Sequence, residues 1–573
     1  MVEFPTLRLN ESYYGNLRLA LIRLNLLMRE KLILLKRWAF THKVLLIIFF
    51  LALLLRLYQL GDLPHGFYEE EMTNAYVGKF IFLHGKDLYG NPWPLLYFDK
   101  FGDYPPVIPL YISGIGTLLF GTTVFGARFS IALIGALTVF PLYLLSQLIF
   151  KNKAVSLFCA FILAILPWHV VLSRTSAEGV IGLAAYTYGL YFILKGSLDK
   201  KTTLLYIGSF FLFACYFLYP GLRILVPLSL VPLPFLFTQK KKILYILVAV
   251  SFLLTLIIAR TDWGSGRFKQ TSLFSSPEVA ASVKLRNENL SHEDGHNNVL
   301  ESRIFHNKLT GYFREFAYQY LSYFSPRYLF LEAGGQPRYY NVRDQGLLYL
   351  SLLPLFLLCL LPNTREENKA GILYIMYLLV ITPLPAALTV DFPPHAHWSM
   401  FMILPLVVMC AYGLYKIYHV KYRNAILIAI LLMLSGEFVY FWHQYSVHAD
   451  QFQSVLRNDG DREFSLYIKD NRSHYQRVFM PVFERLPLYY LFFTDNFDYS
   501  LAGKFRKGLL IDSVDNITFV GDSCPSHRLK PDMVPINSLV VDDANSCTGT
   551  NGFKELTTMK RIDGTSSYRL LVP

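Results

Sequence analysis

Long runs of apolar residues, separated by short polar segments, recur along most of this 573-residue chain. The first is "HKVLLIIFFLALLLRLYQL" at 42–60, and such runs are about 20 residues long, as a helix must be to cross a bilayer. Hydrophobic residues make up 53% of the sequence and charged residues only 17%, against roughly 25% in soluble proteins. The pattern therefore predicts an α-helical, polytopic membrane protein.

Short basic segments between the apolar runs predict the topology. They all fall on the cytoplasmic side only if the proline- and glycine-containing run at 106–121 does not cross the membrane. We therefore expect 106–121 to be a juxtamembrane helix. About eleven spans of the length of a bilayer then remain, with the N-terminus in the cytoplasm and the C-terminus outside. They are predicted at 42–60, 125–149, 154–170, 179–195, 202–219, 223–238, 243–259, 346–362, 370–390, 399–416 and 424–442.

This topology divides the chain into three parts. Residues 1–41 are basic and amphipathic, and we expect a cytoplasmic segment that lies on the membrane. Residues 42–442 form the transmembrane domain, with large outer loops at 61–122 and 260–345. Residues 443–573 contain short apolar stretches separated by turns, and they predict a small extracytoplasmic α/β domain. Cys524 and Cys547 lie in this domain and form a disulfide or remain unpaired.

The formal net charge of +13 would also suit a nucleic-acid-binding protein. The basic residues, however, lie mostly in short loops beside the apolar runs, where they set topology and contact lipid headgroups. We therefore expect membrane lipids as partners and no nucleic acid. Few ionisable residues interrupt the spans and no internal repeat is visible, which argues against a transporter.

The stretch "GFYEEEMTNAY" at 66–76 places three glutamates just after the first apolar run. The apolar residues that follow recur at helical spacing and Gly85 is a natural C-cap, so this segment predicts a short amphipathic helix on the bilayer. Carboxylates at a helix N-terminus are favoured by the helix dipole. The glutamates are therefore explained either by that effect or by catalysis.

Several motifs occur in an order that is known from one superfamily. "GKDLYG", "YPPVIPLY", "FGARFSIALIGALTV" and "PWHVVLSRTSAEG" follow the glutamates, and "YLSYFSPRYLFLEAGGQPRYYNVRDQG" comes later. This order resembles the GT-C membrane glycosyltransferases, in particular the branch of protein O-mannosyltransferases and lipid A aminoarabinose transferases. The resemblance extends over residues 42–440 and is weak in the C-terminal domain. It implies a GT-C-like α-helical membrane fold.

The resemblance also implies a catalytic carboxylate in the first outer loop. In the family, an Asp-Glu pair in this loop supplies the base that deprotonates the acceptor, and the pair falls on Glu70 and Glu71, so that Glu replaces Asp. We favour Glu70 as the general base, with Glu69 and Glu71 as alternatives. Glu178 corresponds to an acidic residue of the family's second outer loop; alternatively, it forms a surface ion pair with Arg174, four residues earlier.

The leaving phosphate of a lipid donor needs positive charge near the membrane surface. Arg128 is either such a group or a snorkelling anchor, and Asp103 is either a site residue or part of an ordinary turn. An H-x-H pair without a third ligand is weak evidence for a metal, and we expect neither a metal nor a cofactor. The substrate-binding candidates are Lys100, Asp103, Tyr104, Arg128, Arg174, Arg260, Arg267, Arg343, His395 and His397.

We therefore expect an integral membrane glycosyltransferase. It would transfer a sugar, with inversion, from a polyprenyl-phosphate donor to a lipid, glycan or protein acceptor outside the cytoplasm. The expected location is the plasma (inner) membrane, with the endoplasmic reticulum membrane as the alternative. Other interpretations are a surface-glycan polymerase or ligase that uses a diphosphate-linked donor, a lipid or glycan transporter, and a non-catalytic scaffold with the same fold.

Overall fold

The computed structural model describes residues 42–573 except 101–102, 237–239, 295–298, 335–339, 362–368, 391, 418–419, 483–484 and 522. The N-terminal segment 1–41, which we expect to be cytoplasmic and amphipathic, lies outside the described residues. In the part that is described, helices predominate up to residue 471, and a β-sheet follows near the C-terminus.

The helices are numbered here in chain order. The first twelve are α1 (Lys43–Leu57), α2 (Glu69–His84), α3 (Ile108–Phe120), α4 (Val124–Leu137), α5 (Val139–Phe150), α6 (Lys153–Ile165), α7 (Pro167–Arg174), α8 (Gly179–Leu198), α9 (Thr202–Ala214), α10 (Leu222–Leu230), α11 (Leu233–Leu236) and α12 (Lys241–Ala259). The others are α13 (Asp262–Thr271), α14 (Pro277–Glu293), α15 (Val299–Phe305), α16 (Lys308–Ser322), α17 (Leu353–Leu360), α18 (Lys369–Ile381), α19 (Leu384–Ala387), α20 (Ile403–Ile417), α21 (Arg423–His443), α22 (Ala449–Phe452), α23 (Asp461–Asn471), α24 (Leu486–Phe493) and α25 (Pro525–Arg528).

Each segment predicted to cross the membrane contains at least one of these helices. Among the described residues, five helical stretches are long and apolar enough to span a bilayer by themselves: Val124–Phe150, Lys241–Ala259, Lys369–Ala387, Met400–Ile417 and Arg423–Phe452. The pair α6 and α7, bent by 50°, is a sixth if it counts as one span. The molecule is thus a multi-pass membrane protein, whereas the count of eleven spans stays a prediction.

The bend between α6 and α7 is stabilised by an arginine from the first membrane helix. Pro167 begins α7 and has no N–H, so it cannot bond to the carbonyl of Leu163. Arg56 of α1 reaches this point: its guanidinium donates to the carbonyl of Leu163 at 3.2 Å and to that of Ala164 at 3.0 Å. The buried side chain of Arg56 therefore satisfies backbone groups that the bend leaves without a helical partner.

Arg174, the last residue of α7, makes the reciprocal contact. Its guanidinium donates to the carbonyls of Leu55 at 2.7 Å, Tyr58 at 2.8 Å and Leu63 at 2.7 Å, at and beyond the C-terminal end of α1. Basic side chains at this end of a helix satisfy its last carbonyls and are favoured by the helix dipole. Arg56 thus connects α1 to the bend between α6 and α7, and Arg174 connects the end of α7 back to the end of α1.

The helix that bears the glutamates, α2, is buried on most of its surface rather than lying on the bilayer with one exposed face. It begins at Glu69 and ends at His84, and Gly85, with a φ of 66°, is the C-cap expected from the sequence. α3 crosses it closely at Gly78 and Gly114, where a Cβ on Gly78 would lie 1.9 Å from the carbonyl oxygen of Leu110. The absence of side chains at both glycines is what permits this approach.

The C-terminal part is the expected small α/β domain. Its strands are β1 (Arg477–Pro481), β2 (Ser513–Val514), β3 (Ile517–Val520), β4 (Ser538–Asp543), β5 (Lys554–Lys560) and β6 (Ser566–Val572). They form one sheet in the order β2-β3-β1-β4-β6-β5, with β1 parallel to β3 and β4 and the other pairs antiparallel. A disulfide joins Cys524 to Cys547.

The first outer loop and the C-terminal domain share a hydrophobic core. Phe67 and Tyr76 pack in one buried cluster with Tyr489 and other side chains of the C-terminal domain. The Tyr489 hydroxyl donates to the carbonyl of Phe67 at 2.5 Å, and the Tyr76 hydroxyl donates to the carbonyl of Asn496 at 2.7 Å. The segments 61–122 and 443–573 therefore pack as one unit.

Candidate active site

A cavity of about 340 Å³ opens where many interhelical connections meet at one end of the membrane domain. Its charged lining comes from the start of α2, the segment before α3, the turn before α8, and α13. These ionisable side chains are Glu69, Glu70, Lys100, Asp103, Glu178 and Arg267. His397 and Trp398, on the connection before α20, complete the polar and aromatic wall.

The three consecutive glutamates have different surroundings because successive helical residues point in directions about 100° apart. Glu70 lines the cavity, where its carboxylate lies 4.0 Å from the Lys100 ammonium and accepts a hydrogen bond from the Tyr340 hydroxyl at 3.4 Å. Glu69 lines the cavity too. Glu71 points away and is buried between Arg128, at 2.8 Å, and Arg457, at 3.5 Å.

Lys100 and Asp103 are presented to the cavity together by a tight backbone pairing. Each donates its N–H to the other's carbonyl, at 2.8 Å and 2.9 Å, and directly paired residues of an antiparallel bridge project to the same face. Lys100 also donates to the side chain of Asn74 at 3.3 Å. Asp103 accepts from Arg267 of α13 at 2.6 Å. Two cations thus face the carboxylates across one cavity.

Glu70 and Glu178 have different pKa values because their surroundings differ. Burial alone would raise the pKa of Glu70, but the charges of Lys100 and Arg267 and the Tyr340 hydroxyl outweigh burial and leave this pKa below its ordinary value. Burial and the neighbouring charge of Glu70 raise the pKa of Glu178 to about 7. At neutral pH, Glu70 is therefore ionised and Glu178 is divided between its two forms.

The two histidines are neutral at physiological pH. Burial lowers the pKa of His397 to about 4 and that of His395 to about 3. Nε2 of His397 accepts a hydrogen bond from the N–H of Gly179 at 3.3 Å, as a neutral imidazole can. His395 stacks on Trp398 with ring centroids 4.7 Å apart and does not line the cavity. Neither ring brings positive charge to a phosphate.

The structure brings together six of the thirteen site residues predicted from the sequence: Glu70, Glu178, Lys100, Asp103, Arg267 and His397. Seven lie elsewhere: Glu71, Tyr104, Arg128, Arg174, Arg260, Arg343 and His395. Arg128 is buried against Glu71 and three backbone carbonyls, and Arg174 binds the end of α1 rather than Glu178. Arg343 is exposed beside Asp344, at 3.4 Å.

Sequence analysis missed the polar neighbours that position the charged groups. Asn74 follows Glu70 by four residues and so lies on the same helical face, a spacing that could have identified it. Tyr340, which donates to Glu70, is far away in the sequence. No local pattern distinguishes it from the many other tyrosines of the chain. Among the described residues, no three His, Cys, Asp or Glu side chains converge as a metal site would require.

Part of the sequence matches a known family. Residues 103–261 match the model of the dolichyl-phosphate-mannose-protein mannosyltransferases. The matched segment begins at Asp103, extends through α3 to α12, and includes Glu178. No curated protein sequence matches the chain.

Solved structures share the fold over most of this chain. The archaeal oligosaccharyltransferase AglB from Archaeoglobus fulgidus, in complex with an inhibitory peptide and a dolichol-phosphate, has a TM-score of 0.50 at 12% identity, covering 89% of this chain and 69% of that one. The crystal structure of the Archaeoglobus fulgidus oligosaccharyltransferase with Zn and sulfate gives 0.51 at 12% identity, covering 92% and 72%. ArnT from Cupriavidus metallidurans bound to undecaprenyl phosphate gives 0.48 at 11% identity, covering 93% and 98%.

At these identities the structural likeness concerns the fold, and the matched segment adds a likeness in sequence. The predicted resemblance to the GT-C membrane glycosyltransferases is thereby confirmed. The chain shares their fold, and its residues 103–261 are similar in sequence to the dolichyl-phosphate-mannose-protein mannosyltransferases.

Proposed function

We propose that this protein transfers a single sugar from a polyprenyl-phosphate donor to a hydroxyl or amine acceptor, with Glu70 as the general base. The observation that carries the proposal is the ionised Glu70 carboxylate, which faces Lys100 and Arg267 in one cavity at the end of the membrane helices. In support, a solved structure of the structurally similar AglB is a complex with a dolichol-phosphate.

In the proposed reaction the acceptor oxygen or nitrogen attacks the anomeric carbon of the donor. The new bond to that carbon forms as its bond to the phosphate oxygen breaks, and the electron pair of the breaking bond leaves with the polyprenyl phosphate. Glu70 takes the acceptor proton. A single displacement of this kind inverts the anomeric configuration. The phosphate is already a good leaving group, so no general acid is needed.

The cations stabilise the negative charge that develops on the leaving phosphate. The guanidinium of Arg267 has several N–H groups, so Asp103 can hold one side of it while the phosphate accepts from another. The Lys100 ammonium lies 4.0 Å from Glu70, close enough to contribute to both groups. The same two cations would thus bind the phosphate of the donor and lower the pKa of the base, Glu70.

This arrangement couples the basicity of Glu70 to the presence of the donor. Without a donor, Lys100 and Arg267 lower the pKa of Glu70. A bound phosphate would share these cations and add negative charge, so the pKa of Glu70 rises and the carboxylate becomes a better base. Glu178, with its raised pKa, is the second candidate for the base because a pKa near the working pH favours proton transfer.

The proposal is tested by sugar transfer in lipid nanodiscs with a panel of polyprenyl-phosphate sugars and mixed acceptors. We expect Glu70→Gln to lower the transfer rate by about 10²–10⁴-fold, the usual effect of losing a positioned base, while donor binding is retained. Glu69→Gln is the matched control, since Glu69 is adjacent and lines the same cavity. Equal rates for wild type and Glu70→Gln would contradict the assignment of the base.

A further inference from the structure

The long outer loop carries an apolar surface that the described part of the protein leaves uncovered. It lies on α15 and α16, where the side chains of Leu300, Phe305, Leu309, Phe313 and Leu321 are between 64% and 79% exposed. Leu309 and Phe313 are one helical turn apart, and Leu321 follows two turns later, so these three lie along one face of α16. A contiguous apolar face of this kind marks a contact with another apolar phase.

The contacts of α16 place this face beside the lipid-facing surface of a membrane helix. The Tyr320 hydroxyl donates to the carbonyl of Val380 at 2.8 Å, within the candidate span Lys369–Ala387. Leu373, Met376 and Val380 are 56%, 39% and 54% exposed and are spaced at three and four residues, as expected of a stripe that faces lipid. α16 therefore packs where this lipid-facing stripe ends.

The depth of α16 in the membrane is inferred from α18, the helix that it contacts. Pro385 lines the cavity and so marks the end of this span that lies at the cavity. Val380 precedes it by five positions, about 7.5 Å along a helix. This depth is within the roughly 5–10 Å to which interfacial helices bury their apolar faces. The uncovered face of α16 thus lies at the level of the headgroups and upper acyl chains.

The charges beside the apolar face fit an interfacial position. Arg303, Lys308 and Arg314 are exposed and directly precede or follow exposed apolar residues, and long basic side chains at such places reach the headgroups. Glu301 and Glu315 on the same helices reduce the net charge, so the attachment does not depend on an anionic lipid. Burial of the apolar face is the main favourable contribution.

We propose that α15 and α16 anchor the outer loop 260–345 to the membrane, with the apolar face of α16 inserted into the leaflet on the cavity side. This anchoring has a structural consequence for the cavity wall. Past the end of α13 the loop bonds to residues 388–390, through the N–H of Leu273 to the carbonyl of Leu388 and the N–H of Val390 to that of Thr271. The loop is therefore fixed on one side by these bonds and on the other by lipid. The inference does not depend on the proposed reaction.

The test is the depth of single labels on the full-length protein in nanodiscs. The background is a variant with the buried cysteines 159, 215, 359 and 410 replaced by serine or alanine and the disulfide kept. Cysteines are introduced at Phe313 or Leu309 and, as matched control, at Glu288 of the neighbouring helix α14, which is exposed. Each is labelled with a small fluorophore and quenched either by a nitroxide lipid or by aqueous iodide.

We expect the labels at Phe313 and Leu309 to be quenched several-fold more by the nitroxide lipid than the label at Glu288, with the reverse order for iodide. Quenching of the Phe313 label by iodide as strongly as that of the Glu288 label would overturn the proposal. Shielding of the Phe313 label from both quenchers would also overturn it, because a protein partner or a second copy would then cover the face. Absence of sugar transfer by the wild-type protein, together with the expected quenching, would contradict the proposed function and leave this inference intact.

Discussion

At the scale of single residues, the glutamate triplet shows how position on a helix determines the role of a side chain. The sequence places the three carboxylates at the start of a helix, and the structure agrees. The sequence could not show which of them meets a cation from elsewhere, because Lys100, Arg128 and Arg457 come from three distant segments. The same limit explains why Arg128, a candidate for binding phosphate, is instead the partner of Glu71.

Glu71→Gln is predicted to lower stability. The substitution leaves Arg128 and Arg457 buried with a neutral partner, and removing one member of a buried ion pair typically costs about 3–5 kcal/mol. The loss is measured as the shift in the unfolding transition of the purified protein in detergent. Glu70→Gln is the control, because the side chain of Glu70 is 32% exposed and faces a cavity, whereas that of Glu71 is 2% exposed. A stable but inactive Glu71→Gln protein would instead assign a catalytic role to Glu71.

Glu178→Gln is predicted to leave the acid limb of the pH–rate profile unchanged. Burial and the charge of Glu70 raise the pKa of Glu178 to about 7, whereas the pKa of Glu70 lies below its ordinary value, so Glu178 is already neutral in the acidic range where Glu70 takes up its proton. A neutral amide at 178 therefore leaves the pKa of Glu70 as it is, and the rate of sugar transfer, measured against pH, falls over the same acidic range in wild type and variant. A rate loss as large as that of Glu70→Gln at every pH would identify Glu178 as the base.

At the scale of elements, the apolar periodicity of the sequence predicts the helices well and their breaks poorly. The predicted spans 125–149 and 243–259 lie within the helical stretches Val124–Phe150 and Lys241–Ala259. Pro167 in "PWHVV" is visible in the sequence, yet nothing nearby shows that Arg56, more than a hundred residues earlier, bonds to the carbonyls at the break. Long-range side-chain to backbone bonds of this kind leave no periodic pattern.

Arg56→Met is predicted to destabilise the bend between α6 and α7. Methionine keeps much of the apolar stem but leaves the carbonyls of Leu163 and Ala164 without their donor, and each buried unsatisfied group costs about 1–3 kcal/mol. The change is followed by the loss of helical circular dichroism on heating in detergent. Arg260→Met is the control, because Arg260 is exposed at the end of α12. Equal melting of the two variants would contradict the structural role of Arg56.

At the scale of the whole molecule, the two ends of the outer region fold together. The sequence predicts a separate C-terminal domain because its composition changes at residue 443, and the sheet is present as expected. It does not predict that Phe67 packs against Phe492, with ring centroids 5.1 Å apart, or that Tyr76 stacks on Phe497 at 4.6 Å. Patterning shows that a side chain will be buried, but not which distant segment buries it.

The fragment 443–573 is predicted not to fold cooperatively alone. Without the first outer loop, the apolar side chains of α24 that pack on Phe67 are exposed to water, and a domain of this size cannot afford to lose a large part of its core. Near-ultraviolet circular dichroism and thermal unfolding of the soluble fragment measure this, with the fragment linked to residues 61–122 as the control. A sharp transition in the unlinked fragment would contradict the shared core.

The shared core also determines how this protein can be recombined with proteins of the same fold. Glu70 is carried by a helix whose buried side chains are packed partly by residues more than four hundred positions later. A chimaera that exchanges only the C-terminal domain therefore combines two parts of one hydrophobic core from different proteins. We expect it to displace the helix that carries Glu70, although no residue near Glu70 is changed. The first outer loop and the C-terminal domain form the smallest unit that can be exchanged intact, although they lie at opposite ends of the sequence.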